Sequence, residues 1–388
     1  MLKQKTFKVA CVAVSVVLLA ALQWFFQPGV EAADHEGKPQ LIGGWMYQGN
    51  ASCTGSKCHS ADKAVEMSGQ LIGDESNIWA ESDPHSHAYE SLAAELSTKI
   101  AAKLKIEDAT ASSRCLDCHA VNAPEGQQGE GFVIDDAVGC ESCHGPAETW
   151  LNPHAEVGWT AQQRKALGAK GLLEKFGLVD TTDVAVRARR CVVCHLQIDK
   201  DMIDAGHPPL DFELYAYNYY ISKKDDAQFQ PHWVDPAGKL IAARLWATGQ
   251  VEALAAAKAQ AAAWAANGDD TADADALVQL YQLGVDVAAE HFGAGSEKEL
   301  SANKYTPANC AAAAVQLATH ADKATSPLHR RVLAFGVTAL GDAVFDGLAD
   351  QEAPEAYWDA HFAALDSDAA GYAEALKTMT DLASEAVK

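Results

Sequence analysis

Four times in this chain a closely spaced pair of cysteines is followed at once by histidine: Cys53-Thr-Gly-Ser-Lys-Cys58-His59, Cys115-Leu-Asp-Cys118-His119, Cys140-Glu-Ser-Cys143-His144 and Cys191-Val-Val-Cys194-His195. Two thiols about one helical turn apart can reach both vinyl groups of one porphyrin, and the adjacent imidazole then lies under the iron. This is the signature of covalently attached c-type haem. Disulfides or zinc sites would also use eight cysteines, but neither explains a histidine after every pair. With 14 histidines in 388 residues, four chance coincidences are on the order of one in a million. Three motifs have the standard spacing, whereas the first has four residues between its cysteines, so its loop must bulge. The implied cofactor set is four covalently bound haem c, with His59, His119, His144 and His195 as axial ligands. Four macrocycles would supply much of the apolar core of the region that carries them, leaving secondary structure there sparse.

An iron held by one histidine has a sixth position, and its occupant separates an electron wire from an enzyme. The same region holds further histidines: His85 and His87 in Asp-Pro-His-Ser-His-Ala-Tyr, His154 in Asn-Pro-His-Ala-Glu, and His207 in Ala-Gly-His-Pro-Pro-Leu. These four are the candidate distal ligands; His35 and His232 lie further out. Methionine is the rival ligand, but Met46, Met67 and Met202 are the haem-region candidates, so bis-histidine iron is the expectation.

The chain opens with Lys3, Lys5 and Lys8 and an apolar run from Val9 to Phe26, followed by Val30-Glu31-Ala32 before Ala33. This pattern fits a signal peptide over residues 1–32 and export to the periplasm or an equivalent compartment. Residues 9–26 are also just long enough for an uncleaved membrane anchor. Cys11 sits at the start of the apolar run, which argues against lipid modification there. The formal net charge of −23 disfavours nucleic acid and anionic lipid surfaces; it reads as a solubilising surface, with steering of a basic redox partner as the functional alternative.

All eight motif cysteines lie between Cys53 and Cys194, and from about Pro236 alanine dominates, with Cys310 as the remaining cysteine. The expected fold is mainly α: a tetrahaem domain over residues 33–235, then an α-helical bundle over 236–388. Helical periodicity places Leu277, Leu280, Gly284 and Val287 on one stripe, Leu328, Val332, Phe335 and Ala339 on another, and Tyr372, Leu376, Met379, Ala383 and Ala386 on a third. Thr306-Pro307 and Ser326-Pro327 read as N-caps followed by proline in the first turn. Helices are expected over 237–266, 272–292, 307–322, 327–346 and 355–387, a longer one over Ser91–Lys105, and a brief strand at Gly131–Ile134. The bundle has its own apolar stripes and no haem motif, so it is expected to be dispensable for haem incorporation. Its histidines 291, 320, 329 and 361 read as packing or surface residues, and Cys310 as a buried small hydrophobe.

Val138-Gly-Cys-Glu-Ser-Cys-His-Gly-Pro146, with Gly131-Phe-Val-Ile134 upstream, resembles haem segments of the tetrahaem cytochrome c-554 family of ammonia oxidisers. His85-Ser-His-Ala-Tyr-Glu-Ser-Leu92 resembles that family's histidine-bearing helix, with His85 at the matching position. His154 matches the histidine downstream of the Gly-Pro motif, and Arg190-Cys-Val-Val-Cys-His-Leu196 matches the last site. The resemblance runs over residues 50–215. It implies a mostly α fold with closely stacked haems and a role in electron transfer. The wide first cysteine pair, the added His87 and His207, and the C-terminal helices depart from the family pattern. In the short family member one iron is five-coordinate, and the added histidines put such an open site in doubt here. The tyrosines 215, 217, 219 and 220 read as packing against haem edges, with a redox relay as the alternative.

The function these features favour is an exported tetrahaem c-type cytochrome that passes single electrons between other redox proteins through mostly bis-histidine haems. Two alternatives stand beside it. One is a multihaem oxidoreductase with an open iron acting on nitric oxide, nitrite or hydroxylamine; the other is a subunit of a larger cytochrome complex or conductive filament.

Overall fold

The computed structural model describes residues 42–388 apart from 56–57, 61–64, 68–69, 157, 225–228, 231, 234–239, 294–303, 325, 349–351 and 367–368. The N-terminal apolar run, its expected cleavage site and His35 lie outside the described residues. No helix among the described residues is long and apolar enough to cross a membrane.

Short elements dominate up to residue 235. The helices are α1 (Glu75–Ser82), α2 (Glu95–Leu104), α3 (Ser113–His119), α4 (Cys140–His144), α5 (Trp159–Phe176), α6 (Val184–His195), α7 (Lys200–Ala205) and α8 (Leu214–Tyr220). Two antiparallel hairpins, β1 (Val65–Met67) with β2 (Gln70–Ile72) and β3 (Lys223–Lys224) with β4 (Phe229–Gln230), pair Val65 with Ile72 and Lys223 with Gln230. Three motifs sit at helix ends: α3 and α4 are little more than the motif itself, and α6 terminates on His195. The chain over 131–134 does not form the expected strand. A strand needs a partner, and here Tyr47 and Gln128 make a single bridge before the chain turns through Phe132 into a 3₁₀ turn at Ile134–Asp136.

Beyond residue 240 long helices follow: α9 (Ile241–Asn267), α10 (Ala272–Phe292), α11 (Pro307–Ala318), α12 (Pro327–Gly347), α13 (Glu355–Asp366) and α14 (Ala369–Ala386). Both expected N-caps form, with Thr306 Oγ1 accepting from the Asn309 N–H and Ser326 Oγ from the His329 N–H, each at 3.1 Å. The region 355–387 contains two helices rather than one, and the helix over 91–105 begins only at Glu95, after a 3₁₀ turn at Glu90–Ala93. The periodic stripes point inward: Val287, Ala339, Tyr372, Leu376, Met379 and Ala383 are buried, as is Cys310.

The largest core joins α6 and α8 to this bundle. Val184, Ala188, Val192, Leu196, Phe212 and Leu214 are buried in one cluster with Trp246, Tyr281, Val337, Leu340 and Tyr357. Polar contacts fasten the same seam. The Ile198 N–H donates to Gln260 Oε1 at 2.8 Å, Trp264 Nε1 donates to the Ile198 carbonyl at 2.8 Å, and Arg331 grips Asp211 with two nitrogens at 2.5 and 2.6 Å. Planar guanidinium–carboxylate pairing of this kind fixes orientation as well as distance.

Glu213 caps α8 from inside that core. Its carboxylate accepts from the Tyr215 and Ala216 N–H groups at 3.0 and 2.6 Å, yet burial pushes its pKa up to about 7. The folded state therefore holds a proton between pH 4.5 and 7 that the unfolded chain has lost, so this contribution is complete below pH 4.5 and disappears as pH rises to 7, by roughly 3 kcal/mol. Glu213→Gln is expected to flatten stability between pH 5 and 7, measured as the denaturant midpoint. An unchanged slope would refute the assignment.

Candidate haem-binding sites

Three of the four motif histidines face a second histidine across a nearly constant gap. Ring centres are 6.1 Å apart for His59 and His154, 5.9 Å for His195 and His85, and 6.4 Å for His119 and His207. A metal–imidazole bond is about 2 Å and the ring centre lies roughly 1 Å behind its nitrogen, so two imidazoles on one iron stand about 6 Å apart. The donor set and its spacing thus fit one iron per pair.

The fourth motif histidine, His144, lies within electrostatic reach of His232, which the sequence places further out than the four candidate ligands. Burial holds His144 down to about 3, and His232 leads the neighbouring charges that add to the effect. Thr181 connects the two: its hydroxyl lies 3.4 Å from His144 Nδ1 and accepts from Trp233 Nε1 at 3.1 Å, and the Trp233 ring packs on His232 at 4.8 Å. His232 Nδ1 is buried without a hydrogen-bond partner among the described residues. His87, by contrast, is brought to no motif histidine among the described residues; its side chain is 67% exposed and lies 3.3 Å from the exposed Glu90.

The outer ring nitrogens are engaged in a way that suits iron on the inner ones. Carbonyl oxygens only accept, so His119 Nδ1 at 2.9 Å from the Ala88 carbonyl, His154 Nδ1 at 2.5 Å from that of Leu151, and His207 Nδ1 at 2.8 Å from that of Pro208 must all carry the proton. Each Nε2 then offers its lone pair, the tautomer a metal requires. His59 and His85 instead meet carboxylates, Glu75 Oε2 and Asp83 Oδ1, each at 2.9 Å. Those partners raise the pKa of both: at His59 the Glu75 hydrogen bond leads, while at His85 burial opposes charging and Asp83 outweighs it. Burial dominates at His119, His154 and His232, which are lowered, and at His195, held down to about 3.

Local sequence explains how these rings are aimed. Asp83 accepts from the His85 N–H at 2.9 Å and starts the 3₁₀ turn Pro84–His87 that carries the ring. His207 follows α7 through Gly206, whose φ of 112° few other residues adopt. The motif on α4 is clamped by Asn50 and Glu141. Asn50 Oδ1 accepts from the Cys140 N–H at 2.9 Å, and the buried Glu141 carboxylate accepts from Gln48, Gly49 and Ala147 at 2.9, 2.8 and 2.7 Å. A Cβ at Gly139 would come 2.2 Å from Asn50 Oδ1, so a larger residue before this motif would push Asn50 off the Cys140 N–H.

None of the eight motif cysteines is joined in a disulfide among the described residues. The Cys53 thiol neighbours that of Cys140, and Cys118 neighbours Cys194, so the first motif abuts the third and the second abuts the fourth. Burial pushes Cys143 and Cys191 up, to about 11 and about 12, keeping them neutral. Met202 lies in an apolar cluster with Leu92 and Leu116. Tyr217 packs edge-on against His195 at 4.6 Å and donates to Asp211, and Tyr215 donates to Asp342. In the bundle, His291 bonds Gln316, His361 bonds Thr338, and His329 is buried.

The family model described as cytochrome c554 and c-prime matches residues 52–145. The chain is similar to cytochrome c-554 of Nitrosomonas europaea, at 27% identity over 168 residues that cover 39% of this chain and 59% of that protein. No solved structure matches the chain.

Proposed function

We infer that this chain, which belongs to the cytochrome c-554 family through residues 52–145, is an exported electron carrier with four covalent haems. Each haem is held between a motif histidine and a second histidine. The proposed axial pairs are His59 with His154, His119 with His207, His144 with His232, and His195 with His85. The thioether positions are Cys53 and Cys58, Cys115 and Cys118, Cys140 and Cys143, and Cys191 and Cys194. Haem c bound there supplies reversible one-electron exchange at iron.

The observation that carries this reading is the recurrence of one ring-to-ring spacing at three motifs, from 5.9 to 6.4 Å. Aromatic packing alone allows about 4.5–7 Å, yet each of these contacts joins a motif histidine to a non-motif one. The protein's part is to fix the tautomer of His119, His154 and His207 and to fix the motif backbone through Asn50 and Glu141. Its net charge of −23 draws in a basic donor or acceptor at rates that fall with salt.

Intact mass of the mature protein is expected to show four haem additions, and carbon monoxide is expected to change the reduced spectrum little, since no axial position is free. Fewer additions would refute the count. Stoichiometric carbon monoxide binding by the wild type would replace the carrier with an enzyme bearing an open iron.

A further inference from the structure

The geometry points to Glu75 and Asp83 as positioning residues that set the potentials of two haems below those of the other two. This rests on the axial pairs proposed above. The two carboxylates flank one helix: Glu75 is the first residue of α1 and Asp83 directly follows its last. Each is held in place by a backbone donor, the Gly73 N–H to Glu75 Oε2 and the His85 N–H to Asp83 Oδ1, both at 2.9 Å. Asp83 is 5% exposed, so water screens little of its charge.

A carboxylate accepting from Nδ1–H draws that proton outward and makes Nε2 a stronger donor to iron, which favours the ferric state. A carbonyl does so far less, and the outer nitrogens of His119, His154 and His207 meet carbonyls. Among the described residues His144 Nδ1 meets the Thr181 hydroxyl, at 3.4 Å. One ligand of the first site, His59, and one of the fourth, His85, are therefore carboxylate-backed, whereas among the described residues His119, His207 and His144, at the second and third sites, meet carbonyl or hydroxyl oxygens. Both carboxylates also act through space on His232, where Arg187 opposes them.

The cysteine contacts add a consequence. Because the first motif abuts the third and the second abuts the fourth, each neighbouring couple combines one carboxylate-backed site with one neutral-backed site. The potential step then lies inside each couple rather than between couples.

The test is a spectroelectrochemical titration of the haem-loaded protein, after intact mass and carbon monoxide have verified four six-coordinate haems. If that check fails, the axial pairs are wrong; if it passes, the titration judges the carboxylates alone. The wild type is expected to titrate as a lower and an upper group of two haems each. Glu75→Gln and Asp83→Asn are each expected to move one haem of the lower group upward by at least tenfold in its one-electron equilibrium, about 59 mV. Glu75→Asp and Asp83→Glu should restore much of the shift. A shift confined to the upper group, or none, overturns the proposal. Should either variant fail to load haem, the wild type decides: a single ungrouped wave also overturns it.

Discussion

His232→Ala is expected to turn a protein that ignores carbon monoxide into one that binds about one equivalent per chain in the reduced state. All four covalent haems should remain, because thioether bonds and axial ligation use different residues. The half-buried His232 packs on Trp233 with its Nδ1 enclosed, so removing its ring would free the axial position proposed for it. Added imidazole should refill that position and expel the carbon monoxide, which a merely misfolded variant would not reproduce. His87→Ala is the control. Its exposed side chain lies beside Glu90, and the variant should behave as wild type. The reverse result, with His87→Ala opening a site and His232→Ala leaving none, would overturn the axial pairs as assigned.

That contrast marks what sequence could and could not say about the site. The pairs His59–His154, His195–His85 and His119–His207 join histidines that the sequence had singled out, because spacing to a cysteine pair or a local turn residue constrains each of them. The choice between His87 and His232 was not legible, since proximity along the chain favours His87 and only folding brings residue 232 back to residue 144. Asp83 left a local signal, a carboxylate two residues before His85 at the start of a turn. Glu75 left none, being 16 residues from His59. The helices of the bundle were legible from apolar stripes and the Thr306 and Ser326 caps, because burial of one face dictates periodicity. The split of 355–387 was missed because alanine continues a helical pattern across a break as readily as within a helix. Gly131–Ile134 misled for a related reason: β-favouring side chains cannot make a strand where no partner backbone lies alongside.

Truncation at Asp235 is expected to have the largest effect on the protein as a whole. Composition changes there, and by composition alone the tetrahaem region should survive without the bundle. The packing gives the opposite expectation. Val184, Val192 and Leu196 around the fourth motif, with Phe212 and Leu214, are buried against α9 and its neighbours, at roughly 1.5–3 kcal/mol for each large side chain. Exposing them together would cost about as much as the whole stability of a typical domain, about 5–15 kcal/mol. Truncation also removes Gln260 and Trp264, which hold the Ile198 backbone three residues after His195, and Arg331, which pairs with Asp211. A chain ending at residue 235 should therefore lose the haem at Cys191 and Cys194 first, read as one missing addition by mass, and should unfold without a sharp transition. Trp246→Ala offers a milder version in the intact chain. This fully buried ring is expected to cost about 3–5 kcal/mol and to reduce loading at the fourth motif more than at the first. If the truncated chain instead retained four haems and unfolded cooperatively, the shared core would be an interface between two independent domains, and the boundary near residue 235 would stand.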